Sequence, residues 1–142
     1  MRWPTVTLIL TLPLMLPFGA VLAQRSDTLP ERLTGKWEAQ NMDRFTYNGV
    51  ETIVFEGSRT PGPVQGHVTH QGVVCSAEDE PFKGTWDGKV LKFDTEFKAM
   101  TNRPSTCVGQ NTYALERKVG KDAFTGTIRS KGGNMLNVSV SP

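Results

Sequence analysis

The stretch PFKGTWDGKVLKFDTEFK, residues 81–98, shows the strand pattern on which the interpretation of the whole chain is based. Two short strand-like runs meet at Asp87-Gly88, and this dipeptide predicts a hairpin because a type I′ turn needs positive φ at both central residues. After the turn, apolar or hydroxyl-bearing side chains alternate with charged ones from residue 91 to residue 98. Side chains alternate across a strand, so one face of this segment is suited to a core and the other to water.

The rest of the chain repeats this pattern, and no segment has the periodicity of a helix. Glycine is frequent, with 14 residues, and most segments between turn signals are short and alternating. Such a pattern predicts an all-β fold, an eight-stranded up-and-down antiparallel barrel, with a two-sheet β-sandwich as the alternative. The predicted strands are 33–40, 51–56, 64–74, 82–86, 89–98, 110–118, 123–129 and 135–140.

The N-terminus has the composition of a secretory signal peptide. Arg2 precedes an apolar run that ends in Val21-Leu22-Ala23, a small-residue cleavage pattern. A membrane anchor is the alternative, but the run is short and contains two prolines. We therefore predict a signal peptide at 1–23 and one barrel domain at 24–142, exported to the periplasm or secreted, with no membrane span after cleavage.

The predicted mature domain contains two cysteines, Cys75 and Cys107. An even number of cysteines in an exported chain predicts a disulfide. The chain lacks a Cys-x-x-Cys motif, so we favour a structural bond over a redox or metal pair.

The charge balance argues against nucleic acid as a partner. The formal net charge is only +2, and acidic and basic residues are interspersed along the chain.

Because strand direction alternates, the predicted connections alternate between the two barrel ends. Most of the long connections fall at one end, and both cysteines fall there in separate loops, as a disulfide between them requires. Loops on a rigid scaffold usually carry function, so this end is the predicted working end. Its connections are 41–50, 75–81, 99–109 and 130–134, whereas the opposite end has 57–63, 87–88 and 119–122.

Four side chains in these long loops are the predicted binding residues: Met42, Phe45, Tyr47 and Arg103. Aromatic residues and arginine recur at binding hot spots. The alternative is that Phe45 and Tyr47 begin the second strand and help to plug the barrel. The acidic residues 78–80 lie in a neighbouring loop and are expected to pair with Lys98 and Arg103.

The first strand begins LTGKW, residues 33–37, and resembles the Gly-x-Trp opening of calycin barrels, the avidins and lipocalins. The resemblance implies the barrel architecture and the binding of another molecule in the barrel mouth. In avidins a ligand-binding asparagine follows the tryptophan by two positions, where this chain has Ala39. In lipocalins the tryptophan packs beneath a basic side chain, which implies that Arg117, whose parity points inward, stacks on Trp37 as a structural lid. The alternative is that Arg117 extends to water.

The signals for catalysis are weak. His67 and His70 are the only histidines, and their spacing on a strand points them to opposite faces, so we predict no metal site. A glycosidase would need two flanking carboxylates. We expect the available ones to lie on a solvated face; they are Glu51, Glu56, Asp94 and Glu96.

Together these features predict a non-enzymatic binding protein without a cofactor. It would use the long-loop end to bind a protein partner, as an inhibitor does, or a small ligand. The alternatives are a small envelope enzyme with a carboxylate or His70 in the barrel mouth, and a purely structural envelope domain.

Overall fold

The chain folds into eight strands, seen in a computed structural model that describes residues 27–40, 46–72, 76–98 and 109–142. The strands are β1 (Arg32–Gln40), β2 (Thr46–Glu56), β3 (Gly62–Gly72), β4 (Ala77–Trp86), β5 (Val90–Phe97), β6 (Gly109–Arg117), β7 (Phe124–Ser130) and β8 (Met135–Ser141). No helix in these ranges is long and apolar enough to cross a membrane.

The strands form a closed up-and-down barrel. Each pairs antiparallel with its neighbours in the chain, and β1 also pairs with β8. Closure leaves no free sheet edge along the paired length. The predicted barrel is confirmed and the sandwich alternative is wrong.

Two strands begin much earlier than the sequence pattern predicts, whereas the starts of the others lie within two residues of the prediction. β2 starts at Thr46 and β4 at Ala77, five residues before the predicted start of each. Asn48-Gly49 and the acidic run 78–80 have turn-like composition. Pairing with a neighbouring strand overrides these local preferences, because Tyr47 pairs with Ala39 and Ala77 pairs with His70.

The connection at Asp87-Gly88 forms as predicted, but with different turn chemistry. Gly88 has a φ of 93°, whereas Asp87 has no positive φ. Oδ1 of Asp87 instead accepts hydrogen bonds from the backbone N–H groups of Lys89 and Val90, at 2.8 and 2.6 Å. A side-chain-capped turn therefore replaces the type I′ turn.

One end of the barrel, the strap end, is closed by residues 27–31. Leu29 is buried there, and its N–H donates to the carbonyl oxygen of Arg59 at 2.9 Å. Nε1 of Trp86 donates to the carbonyl of Asp27, and Nη2 of Arg117 donates to that of Thr28 at 2.9 Å. The short connections between β2 and β3, β4 and β5, and β6 and β7 share this end.

The opposite end, the loop end, carries four connections. They join β1 to β2, β3 to β4, β5 to β6 and β7 to β8. The predicted alternation of connections between the two ends therefore holds.

Candidate functional site

The buried polar side chains are distributed unevenly along the barrel axis. Arg117, the last residue of β6, lies at the strap end. Among the described residues, the other buried polar or charged side chains lie midway along their strands or nearer the loop end. Together with Tyr113 they are called the polar cluster. Its members are Glu51, His70, Glu80, Thr95, Asn111 and Tyr113.

A hydrogen-bonded triad of Glu51, His70 and Tyr113 forms the centre of the polar cluster. Oε2 of Glu51 lies 2.6 Å from Nδ1 of His70, and both side chains are fully buried. Tyr113 donates its hydroxyl proton to Oε1 of Glu51 at 2.7 Å. The carboxylate is therefore engaged through both of its oxygens.

Strand register brings the triad together. Glu51 on β2 lies directly opposite His70 on β3, and Glu51 has the same inward parity as Ile53 and Phe55. Tyr113 reaches the carboxylate from β6, which is not a neighbour of β2.

Burial shifts the proton affinities of two triad members. Loss of water contact raises the pKa of Glu51, although the hydrogen bonds and charge of His70 and the hydrogen bond of Tyr113 oppose that shift. Burial is also the main cause of a pKa for Tyr113 well above its ordinary value, reinforced by the Glu51 charge and hydrogen bond. Tyr113 therefore keeps its proton and acts as a donor.

Two aromatic rings pack against His70. The indole of Trp37 stacks on the imidazole with centroids 4.4 Å apart, and the ring of Phe97 lies at 5.3 Å. Nε1 of Trp37 is fixed by donating to the carbonyl of Gln71 at 3.1 Å. Gly49 makes room for this arrangement, since a Cβ there would lie 2.5 Å from Nε1 of Trp37.

Glu80 supplies a second buried carboxylate, on β4. Its Oε1 accepts a 3.0 Å hydrogen bond from the backbone N–H of Lys98. The expected loop placement of residues 78–80 is wrong, because β4 includes them, and Glu80 turns inward at the irregular β3–β4 register between Val68 and His70. The expected pairing with Arg103 lies outside the described residues.

Most of the predicted binding residues lie outside the described residues. This holds for Met42, Phe45 and Arg103, and also for the predicted disulfide partners, Cys75 and Cys107. Tyr47 is described, and it lies in β2, half-buried against the core. The alternative that Tyr47 begins the second strand is the one that the structure supports.

The predicted stack of Arg117 on Trp37 is wrong. Arg117 does point inward, but its guanidinium lies over the rings of Trp86 and Phe124, 5.2 Å from each centroid. Trp37 is buried and stacks on His70 instead. The reason is that Trp86 and Phe124 lie with Arg117 at the strap end, whereas Trp37 lies farther along β1.

The prediction of a solvated face is correct for Glu56, Asp94 and Glu96, which are exposed, and wrong for Glu51. The two histidines do point to opposite faces. His70 lies inside, and His67 lies on the outer surface with Nδ1 3.1 Å from Oε1 of Glu56.

A groove of about 710 Å³ crosses the outer surface of β3 to β6. Its lining includes His67, Lys83, Asp94 and Gln110, so positive, negative and neutral groups alternate across it. Thr112 donates to Asp94 within it at 2.6 Å. This composition is typical of a solvated sheet face.

The described ranges contain no group of three or more His, Cys, Asp or Glu side chains placed to hold a metal ion. No model of a known protein family matches the chain, and a search of curated proteins finds no relative.

Proposed function

We propose that this protein is an exported, non-enzymatic binding protein that receives a protein partner or a small ligand at the loop end of the barrel. The proposal rests on the uneven distribution of polar side chains between the two ends of the barrel interior. The strap end is closed by residues 27–31 and Arg117, and the polar cluster gathers toward the other end. Binding sites in barrels combine apolar walls with a few convergent polar groups at the mouth.

The proposal includes a place among the calycin-like barrels. The LTGKW segment at the start of β1 and the closed eight-stranded plan support this assignment. The side chains that pack the interior, including two tryptophans, favour a protein partner bound at the rim, as by an inhibitor, over a large enclosed ligand.

An enzyme is the second candidate, and the triad favours it. A carboxylate that orients a histidine is a common arrangement for general acid–base catalysis. Both Glu51 and His70 are fully buried, however, so a substrate would have to displace core side chains before reaching them. This cost favours binding over catalysis.

Photo-crosslinking in the producing cells tests the proposal, because it captures a partner whose identity is unknown. A photoreactive amino acid would replace Tyr47 near the loop end or, as the matched control, Asp87 at the strap end. We expect a specific adduct from position 47 alone, identified by mass spectrometry. Adducts from position 87 alone would contradict the proposed binding end.

Export is tested separately. N-terminal sequencing of protein from the envelope or medium should give a mature terminus near Gln24. An intact Met1 terminus there would show that the apolar segment is retained.

A further inference from the structure

Met135 is the one sulfur-containing side chain in the part of the chain that the structure describes, and it lies on the outer surface of the barrel. It is the first residue of β8 and follows the β7–β8 connection at the loop end. Its exposed fraction is 53%, so the side chain is open to a dissolved oxidant. Oxidation to methionine sulfoxide turns a flexible apolar side chain into a polar, chiral one.

A contact with Arg129 makes the two sides of this sulfur different. Arg129 on β7 is the cross-strand partner of Met135, and its Nη2 donates to Sδ at 3.8 Å. A thioether is a weak acceptor, so the contact contributes little to stability. Its consequence is directional, because a thioether sulfur has two lone pairs. One of them faces the guanidinium, which leaves the other to react with an oxidant.

The turn beside this pair holds the two backbones in a fixed relation. The N–H of Ser130 donates to the carbonyl oxygen of Asn134 at 2.9 Å, and the N–H of Asn134 donates to Oγ of Ser130 at 3.1 Å. The N–H of Gly133 donates to the carbonyl oxygen of Ser130 at 2.9 Å. Arg129 and Met135 flank this hydrogen-bonded turn, so the guanidinium stays on one side of the sulfur.

From these features we infer that Met135 is a stereoselective oxidation site, at which a hydroperoxide transfers one oxygen atom to Sδ from the side opposite Arg129. The O–O bond of the peroxide breaks as the S–O bond forms. The sulfur gives up two electrons, and the proton of the transferred oxygen moves to the departing oxygen, which leaves as water or an alcohol. Arg129 is a positioning residue in this step, and one epimer of the sulfoxide forms in excess.

The excess of one epimer determines how the modification is reversed. Methionine sulfoxide reductases are stereospecific, with one enzyme for each epimer. One of the two enzymes should therefore restore most of the oxidised Met135. The site lies on the outer surface and does not involve the buried polar cluster, so the inference is independent of the proposed binding function.

Mild oxidation of the folded protein with hydrogen peroxide, followed by digestion with trypsin, tests the inference. Cleavage after Lys131 releases residues 132–142, in which Met135 is the one methionine, so a mass gain of one oxygen atom in this peptide reports the site. The digested peptide is then treated separately with each of the two epimer-specific reductases. We expect one enzyme to reduce about threefold more of the sulfoxide than the other. Equal reduction by both enzymes would overturn the inference.

Protein that is unfolded in denaturant before oxidation provides the first control. Its sulfur is free of the Arg129 contact, so both reductases should reduce similar amounts of the sulfoxide. A peptide 132–142 that stays unoxidised in the folded protein, while a peptide with Met42 or Met100 gains oxygen, would also refute the site.

Two matched variants test the role of Arg129. Arg129→Leu removes the guanidinium from an exposed position, so the protein should still fold and the epimer ratio should fall to that of the unfolded protein. Lys92→Leu removes an exposed cation from β5 and should leave the ratio of the parent unchanged. An epimer ratio that Arg129→Leu does not change would contradict the positioning role.

Discussion

Tyr113 on β6 donates a 2.7 Å hydrogen bond to Oε1 of Glu51 on β2, and so joins two strands that are not neighbours in the sheet. The bond lies inside the barrel, where both residues are fully buried. It holds the carboxylate in place while the other oxygen engages His70. The arrangement of the polar cluster therefore depends on a contact between residues 62 positions apart.

Tyr113→Phe should destabilise the fold by about 1–3 kcal/mol, because it removes a donor from a buried carboxylate while keeping the ring. Denaturant unfolding measures the change. Thr112→Val is the matched control, since it removes a hydroxyl donor from the exposed carboxylate of Asp94 and should cost about 0.5 kcal/mol or less. Equal losses of stability in the two variants would show that burial of the Tyr113–Glu51 hydrogen bond adds nothing to its contribution to the free energy of unfolding.

Glu51 should make stability fall as pH rises. Burial raises its folded-state pKa above the ordinary value of 4.5, so the folded protein binds this proton more tightly than the unfolded chain. The stabilising contribution is present below pH 4.5 and is lost as pH rises through the folded pKa. The Glu51→Gln variant has no titrating carboxylate at this position, so it should not show this loss of stability.

Unfolding free energies of the parent and of Glu51→Gln, measured across that pH range, provide the check. The parent should lose stability relative to the variant as pH rises above 4.5. A difference that is constant or of opposite sign would contradict the raised pKa.

Gly49→Ala should cost about 1–3 kcal/mol, because the new Cβ would overlap the carbonyl oxygen of Gln71 and press on the indole of Trp37. Gly132→Ala is the control, since the nearest atom to its Cβ is Oγ of Ser130 at 3.8 Å. Thermal unfolding and near-ultraviolet circular dichroism report stability and the tryptophan environment. A Gly49→Ala protein with unchanged signals would show that the barrel accommodates the methyl group.

Arg117→Met should loosen the strap end. It removes the donor to the carbonyl of Thr28 and the cation over the rings of Trp86 and Phe124, at a cost of about 2 kcal/mol. Hydrogen exchange should show faster exchange of the Leu29 amide. Lys89→Met, which breaks only an exposed pair with Glu116, should leave that amide unaffected.

Cys75 and Cys107 remain the predicted disulfide partners. The strands that flank them place their connections, β3 to β4 and β5 to β6, at the loop end. Closing a loop of about 32 residues should stabilise the fold by about 3–4 kcal/mol in the chain-entropy model. Peptide mapping without reductant should find the linked pair, and two free thiols in freshly isolated protein would disprove it.

Alternation along the strands is enough to predict the barrel and the inward side of Trp37, Tyr113 and Arg117. The same parity points Glu51 inward with Ile53 and Phe55, but the usual preference of carboxylates for water argues for the opposite placement. Alternation alone does not predict the contact between Glu51 and Tyr113 or the contact between Arg117 and Trp86. Those contacts depend on strand tilt and register around the closed barrel, which combine all eight strands.

If the partner binds at the loop end, its affinity should depend on side chains of the loop-end rim, the residues in and beside the four loop-end connections, and should not depend on side chains of the strap end. Tyr47→Ala and Arg103→Ala should weaken binding about tenfold or more, whereas Asp87→Ala and Lys121→Ala should leave it within about twofold, all compared among folded proteins. Loss of binding in the Asp87 or Lys121 variants, with the rim variants unaffected, would show that the partner binds at the strap end instead.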